Sequence, residues 1–173
     1  SGRGIAGERT LMMAKQTISL TVNTQSAVVE VEPGKTLLRV LREDIGLTSA
    51  KEGCGQGDCG SCVVVMDGKS VNSCLVLAGQ AQGSQVVTLE GLEQNGQLHP
   101  LQEHFAKEWG FQCGYCTSGM LMSCYDLLNH NSQPSREEIT EAISGNLCRC
   151  TNYRAIIDAV EIAAAELHKS EQG

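Results

Sequence analysis

Apolar and polar residues alternate near the start of the chain, which is the pattern of a strand with one buried face. Ile18, Leu20 and Val22 fall on the same side of a strand predicted over residues 17–23. Residues 27–31 alternate in the same way after a short polar stretch, so they can fold back beside the first strand. The pattern predicts an antiparallel hairpin.

The next stretch mixes helical and strand patterns. Leucines at helical spacing predict a short helix over residues 36–44, and a loop rich in glycine and cysteine follows over residues 53–62. Strands predicted at 63–66 and 70–73 are joined by an Asp-Gly pair, which is a favoured hairpin turn. Another strand is predicted over 86–89, so this region continues a β-rich half.

Helical spacing begins after a polar, loop-like segment at residues 91–96. Helices are predicted directly after this segment, over 120–128 and over 153–167, where apolar residues form one stripe. Ser135, with a glutamate three residues later, forms a capping box that predicts the start of a further helix. The sequence thus predicts an α+β protein whose β-rich half precedes an all-helical half.

This change of pattern divides the chain into three parts. Residues 1–16 are expected to form a flexible extension, residues 17–90 a first domain and residues 91–173 a second domain. The extension has no apolar run long enough for a signal peptide. The chain also has no apolar run close to the roughly 20 residues that span a bilayer. We therefore expect a cytoplasmic protein.

Composition and charge exclude several classes of function. Of the 173 residues, 41% are hydrophobic but only 3% are aromatic, so aliphatic side chains must fill the cores. The formal net charge is -7. The chain has no basic stripe that could displace counterions from phosphates, which argues against nucleic-acid binding. The same absence argues against binding to a membrane surface.

The nine cysteines indicate metal binding rather than disulfides in a reducing compartment. The first group is Cys54, Cys59, Cys62 and Cys74, and the C-x4-C-x2-C spacing of its first three members is that of plant-type 2Fe–2S sites. Glycines between them let the loop bend around a cluster. Zinc is the alternative metal, but zinc sites commonly include histidine, and residues 1–98 contain none.

The second group is Cys113, Cys116, Cys148 and Cys150. Its spacing is less specific, because Cys-x2-Cys also occurs in zinc sites and in thioredoxin-like dithiols. The helical surroundings disfavour the dithiol, which is typical of a βαβ unit. From the residues alone, an iron–sulfur cluster, a zinc ion and a redox role stay open. Cys124 lies outside both groups and is predicted to be a small buried hydrophobic residue.

Three motifs together resemble the small subunit of the xanthine oxidase family of molybdenum hydroxylases. They are GCGQGDCGSC at residues 53–62, GFQCGYCT at 110–117 and GNLCRCT at 145–151. The similarity runs in order from about residue 17 to residue 167. No catalytic triad, P-loop or dinucleotide-binding fingerprint accompanies it, so substrate chemistry is not expected in this chain.

The resemblance implies a fold and two sets of ligands. It implies a β-grasp domain like that of plant ferredoxins, followed by an all-α four-helix-bundle domain. The β-grasp domain would ligate one 2Fe–2S cluster through Cys54, Cys59, Cys62 and Cys74. The helical domain would ligate the other through Cys113, Cys116, Cys148 and Cys150.

The resemblance also implies partners and a direction of electron flow. In that family the second cluster lies close to the molybdopterin of a large partner subunit, and Gln112 and Cys150 match positions that contact the pterin. The first cluster usually faces an FAD subunit. Electrons would pass from molybdenum through both clusters to flavin, within a hetero-oligomer such as a dimer of heterotrimers.

The alternative functions are a free-standing two-cluster ferredoxin and a zinc-binding interaction module.

Two residues depart from the family's pattern. Ser118 stands where proline is usual, and it is expected to cap the helix that follows. Asn152 stands where glycine is usual, and it is expected to cap the last helix. Neither is a ligand, so the departures bear on the substrate subgroup. Trp109, which precedes the second motif, is predicted to pack near the cluster.

Overall fold

The computed structural model describes residues 14–150 and 152–171. The predicted N-terminal extension lies outside the described residues except for its last three. The strands are β1 Gln16–Val22, β2 Gln25–Val31, β3 Val63–Met66, β4 Lys69–Asn72 and β5 Gln85–Val87. The helices are α1 Leu37–Arg39, α2 Pro100–Lys107, α3 Thr117–His130, α4 Arg136–Ala142 and α5 Tyr153–Glu171.

β1 and β2 form the predicted hairpin, with Ile18 opposite Val29. The turn residues Asn23 and Thr24 both have positive φ, 48° and 69°, as a two-residue turn of this hand requires. The Asn23 side chain is held in place because its Oδ1 accepts a hydrogen bond from the backbone N–H of Thr88 at 2.9 Å. The turn is therefore tied to the segment that follows β5.

The described residues form one five-stranded mixed sheet in the order β2-β1-β5-β3-β4. β1 and β5 are parallel, which brings Val22 beside Val86, whereas β3 is antiparallel to both β4 and β5. The predicted strands are thus confirmed with shifts of one or two residues. The first cysteine loop lies between α1 and β3, at one end of this sheet.

The helix predicted over residues 36–44 is one α-helical turn followed by a wider π-helical turn. The hydroxyl of Thr36 caps α1 and accepts from the Arg39 N–H at 3.4 Å, and the π turn spans Val40–Asp44. The predicted apolar face is correct, because Leu37 and Leu41 are fully buried in the core beneath the sheet. The segment that precedes the cysteine loop is therefore held in place by its buried leucines.

The four helices of the C-terminal half surround a common apolar core. Ile156 and Val160 of α5 are fully buried, as the predicted stripe requires. Ser135 caps α4 as predicted: its hydroxyl accepts from the Glu138 N–H at 3.2 Å, and the Glu138 carboxylate accepts from the Ser135 N–H at 2.7 Å. No helix in the described ranges is long and apolar enough to cross a membrane.

α3 also packs on the sheet and joins the two halves of the molecule. Met122 of α3 is buried in one cluster with Val63, Val65 and Leu92. Cys124 is fully buried on the same helix, which confirms its predicted role as a small hydrophobic residue. The two halves therefore share apolar packing, and the cysteine loops that each half carries are held at a defined separation.

Candidate iron–sulfur sites

The first site is built by the loop between α1 and β3, together with Cys74 after β4. Gly57 has a φ of +87°, and a Cβ there would lie 2.5 Å from Cδ1 of Leu75. The positive φ favours glycine at this point, whereas the Leu75 contact involves only the end of a flexible side chain. The turn places Cys54, at the start of the loop, near Cys59.

The sulfur atoms of the first site form two neighbouring pairs. The thiol of Cys54 interacts with that of Cys59, and the thiol of Cys62 interacts with that of Cys74. Backbone N–H groups also point at the site, because those of Gln56 and Asp58 donate to Sγ of Cys54 at 3.5 and 3.3 Å. Two pairs of thiols with backbone donors fit a two-iron cluster, in which each iron takes two thiolates.

The thiols at the two ends of this site differ in acidity. Backbone N–H groups, first that of Gln56 and then that of Cys59, lower the pKa of Cys54 to about 7. Burial raises the pKa of Cys62 to about 12. A buried thiolate needs a positive partner, and bound iron supplies one while displacing the proton. The donor set therefore fits a cluster that is exposed on the Cys54 side and enclosed on the Cys62 side.

The second site is built by the segments that precede α3 and α5. Sγ of Cys113 and Sγ of Cys150 are 3.6 Å apart, and the thiols of Cys116 and Cys148 are also in hydrogen-bonding contact. α3 begins directly after Cys116, and α5 begins three residues after Cys150. Both helices thus start at the site, where their unpaired N–H groups and dipoles favour an anionic group.

Both sites differ from a site for a single ion. No group of three or more His, Cys, Asp or Glu side chains among residues 14–150 and 152–171 is arranged to hold one metal ion. The thiols instead converge as two pairs in each site, and the nine cysteines, all within the described residues, form no disulfide. Paired thiols suit a two-iron cluster better than a tetrahedral zinc ion.

Tyr153 shapes the Cys-x-Cys turn of the second site. Its hydroxyl accepts from the Cys148 N–H at 2.8 Å and donates to the Asn146 carbonyl oxygen at 2.8 Å. Both bonds close a loop of backbone that must bend to aim two sulfur atoms at one place. Sequence reasoning treated Tyr153 only as the start of a helix. The only sign of this role in the sequence is that Tyr153 lies five residues after Cys148. A single hydroxyl contact produces no periodic pattern from which it could be predicted.

The two cysteine loops touch each other. The Leu147 N–H donates to the Cys59 carbonyl oxygen at 2.9 Å, and the Asn146 side-chain N–H donates to the Gly60 carbonyl oxygen at 3.0 Å. A further hydrogen bond connects the same two regions, because the Tyr115 hydroxyl donates to the Glu52 carbonyl oxygen at 2.8 Å. Residues adjacent to both cysteine groups are therefore in direct hydrogen-bonded contact.

The outer face of the second site is exposed and partly apolar. Cys113 and Cys150 are exposed, and so is Gln112. Trp109 is 82% exposed, so the prediction that it packs near the cluster is wrong. The reason is local: Trp109 takes a positive φ of 58° after α2, and the chain then turns back so that the Gly110 N–H reaches the Phe105 carbonyl oxygen at 2.8 Å.

The two departures from the family's pattern have different outcomes. Asn152 caps α5 as predicted, because its Oδ1 accepts from the Arg154 N–H at 3.0 Å. Ser118 is not a cap, and that prediction is wrong. It lies inside the first turn of α3, after Cys116, and its hydroxyl donates to the Ser49 carbonyl oxygen at 2.6 Å. This bond joins α3 to the segment that leads into the first cysteine loop.

Two family models match the chain. Residues 20–97 match a 2Fe-2S iron-sulfur cluster binding domain, and residues 88–161 match a [2Fe-2S] binding domain. The nicotinate dehydrogenase small FeS subunit of Eubacterium barkeri is 50% identical over 151 residues, which cover 87% of this chain and 96% of that protein. The chain belongs to the family of small iron–sulfur subunits of molybdenum hydroxylases.

Further comparisons agree with this membership of the small iron–sulfur subunits. The aldehyde oxidoreductase iron–sulfur-binding subunit of Escherichia coli is 41% identical over 165 residues, which cover 87% of this small subunit and 72% of that one. A crystal structure of quinoline 2-oxidoreductase from Pseudomonas putida superposes with a TM-score of 0.86 at 47% identity, covering 90% of this subunit and 97% of that chain. The predicted ferredoxin-like and helical organisation is thus confirmed in its general form.

Proposed function

We propose that this small iron–sulfur subunit relays electrons from a molybdopterin site in a large partner subunit, through two 2Fe–2S clusters, towards FAD or another acceptor. The observation that carries the proposal is that two separate groups of four cysteines lie on loops that are hydrogen-bonded to each other. The clusters supply one-electron chemistry when bound. The protein chain holds them, aims their ligands and sets the distance between them.

We assign the eight ligands by their sites. The first site uses Cys54, Cys59, Cys62 and Cys74, and the second uses Cys113, Cys116, Cys148 and Cys150. The pairing of the thiols supports this division. Backbone N–H donors at the first site, and the starts of α3 and α5 at the second, would offset the negative charge of each cluster.

The exposed face of the second site is the proposed docking face for the large subunit. Gln112 and Cys150 would contact the pterin, and the exposed side chains of Trp109, Phe111 and Leu147 would surround that contact. Their exposed fractions are 82%, 41% and 59%. Trp109 and Phe111 precede Cys113 by four and two residues, and Leu147 directly precedes Cys148. Exposed large apolar side chains beside a site indicate an interaction surface. This surface favours a subunit of a complex over a free-standing two-cluster ferredoxin.

The exposed side of the first site is the proposed exit for electrons. The backbone around Gln56 and Asp58 is exposed beside Cys54, so an FAD subunit or another acceptor can approach that edge.

We further propose domains at residues 17–90 and 91–173, with α2 to α5 forming a four-helix bundle, within a cytoplasmic hetero-oligomer. The substrate site would belong to the large subunit, and the named relatives make nicotinate, quinoline and aldehydes the first compounds to assay.

Cysteine variants test the two-cluster assignment. Cys54→Ser should remove one of two cluster signals in the electron paramagnetic resonance (EPR) spectrum, and Cys113→Ser should remove the other. Cys124→Ala is the matched control, because this buried cysteine lies outside both groups, and it should keep both signals. The assignment fails if Cys54→Ser removes both signals or leaves both unchanged.

A further inference from the structure

Asn146 is a buried side chain at the point where the two cysteine loops meet. It is 2% exposed. Its side-chain N–H donates to the Gly60 carbonyl oxygen at 3.0 Å, and its Oδ1 accepts from the Ser123 hydroxyl at 2.8 Å. Its backbone carbonyl accepts from Tyr153. One residue thereby connects the first cysteine loop, α3, the second cysteine loop and α5.

The space around this contact is closed. A Cβ on Gly60 would lie 2.5 Å from both the Gly145 carbonyl oxygen and Nδ2 of Asn146. A Cβ on Gly119 of α3 would overlap the Gly60 carbonyl oxygen. Two glycines thus permit a backbone approach that leaves no room for other side chains. Because the two backbones are already in close contact here, repulsion introduced at Asn146 would move one loop relative to the other.

The chemistry of asparagine suits this position. The amide offers a donor to the Gly60 carbonyl oxygen and an acceptor to the Ser123 hydroxyl at the same time. An aspartate of the same shape would present a carboxylate oxygen to that carbonyl, so two acceptors would face each other. A buried acceptor that loses its donor is destabilising, and more so when it carries a charge. Aspartate would therefore push the loops apart at Gly60 while keeping the volume of the side chain.

We infer that Asn146 is a positioning residue that sets the separation of the two clusters and, through it, the rate of electron transfer between them. The inference rests on the proposed relay function. Asn146 is not one of the eight assigned ligands. It acts through Gly60, which follows the ligand Cys59, and through Leu147, which precedes the ligand Cys148. Electron transfer and magnetic coupling both weaken with distance, so both should report a displacement.

The test uses the full chain with both clusters bound. Asn146→Asp is compared with Asn129→Asp, the same change at an exposed position of α3. Iron and sulfide are counted first. The magnetic interaction between the two reduced clusters is then measured by EPR, and the rate of transfer between them by rapid photoreduction. Asn146→Asp should keep both clusters but lose part of the magnetic splitting and slow the transfer, whereas Asn129→Asp should match the unmodified chain.

Ser123→Ala is the second variant, because it removes only the hydroxyl that holds Oδ1 of Asn146. It should weaken the splitting less than Asn146→Asp, in the same direction. Unchanged splitting and rate in Asn146→Asp with both clusters bound would overturn the inference. Asn146→Asp could instead lose iron, and Ser123→Ala then decides. If Ser123→Ala keeps the full magnetic splitting, or loses iron as well, the inference is overturned and Asn146 has a folding role. An unmodified chain that binds no 2Fe–2S clusters would instead refute the proposed function.

Discussion

The backbone N–H of Leu147 donates a hydrogen bond to the carbonyl oxygen of Cys59 at 2.9 Å. Cys59 belongs to the first cysteine group, and Leu147 directly precedes Cys148 of the second. Because the bond joins two backbones, no substitution except Leu147→Pro, which deletes the N–H, removes it directly. Any other change breaks it only by moving one loop, and the glycines beside it decide how closely the loops approach.

Gly60→Ala should separate the loops and destabilise the chain. Gly60 has a φ of +70°, and the added methyl group would lie against Gly145 and Asn146. Gly68→Ala is the matched control, because Gly68 has a similar φ of +80° and open space around it. Backbone strain alone costs about 1–2 kcal/mol, so Gly68→Ala should lose that amount and Gly60→Ala clearly more. Urea unfolding measures the free energy of unfolding of the two variants. Equal losses of this free energy would contradict the close contact of the two loops at Gly60.

Tyr153→Phe should loosen the second site and leave the first intact. The change deletes a hydroxyl that bonds both Cys148 and Asn146, at a cost of about 1–3 kcal/mol. The measurement is the rate at which a chelator removes iron from each site, followed through the two EPR signals. Tyr125→Phe, at a half-buried tyrosine of α3, should leave both rates unchanged. Faster loss at the first site would argue against this role of Tyr153.

His99 should make the stability of the chain depend on pH. Nδ1 of His99 accepts from the Leu101 N–H at 3.2 Å at the start of α2, which requires the neutral ring. Burial lowers the pKa of His99 below its ordinary value of 6.5. The unfolded chain then binds the proton more readily than the folded chain, so stability is full above 6.5 and falls as the pH drops towards the lowered pKa.

The check is urea unfolding above and below pH 6.5. His99→Asn keeps a good helix cap and removes the titrating ring, so the fall in stability on acidification should shrink. His130→Asn changes an exposed histidine at the end of α3 and should keep the full fall. The same pH dependence in all three proteins would assign the effect to another group.

Trp109→Ser should weaken association with the large subunit without disturbing either cluster. An exposed tryptophan that becomes buried at an interface contributes about 2 kcal/mol or more to binding. Co-purification and titration of the two subunits measure the loss, and EPR confirms that the clusters remain. Ile162→Ser changes a residue of α5 that is 41% exposed and should bind normally. Equal binding by Trp109→Ser and the unmodified chain would exclude the proposed docking face.

Local patterns predicted much of the fold. Alternation identified β1, and the capping box at Ser135 identified the start of α4, because both depend on residues close together in sequence. The spacing of Cys54, Cys59 and Cys62 also carried a specific metal hypothesis by itself. The second cysteine group did not, since Cys-x2-Cys and Cys-x-Cys occur in several kinds of site, and the resemblance to a family was needed.

The errors and omissions have two physical origins, contacts between the two halves and a local turn of the backbone. Ser118 bonds Ser49 and Asn146 bonds Gly60, and these pairs come together only when the two halves pack. No periodicity or short motif records such contacts. Trp109 was predicted to pack near the cluster because it directly precedes the second motif, but the left-handed backbone after α2 turns it outwards. Residues that join the halves are therefore found from the structure alone.

The most direct test of the relay function is the iron and acid-labile sulfide content of the full chain, measured alongside its EPR spectrum. Two 2Fe–2S clusters require equal amounts of iron and sulfide, filling both cysteine groups, with two distinct signals after reduction. We predict that result. Metal bound without sulfide, as zinc or single iron ions would be, contradicts it.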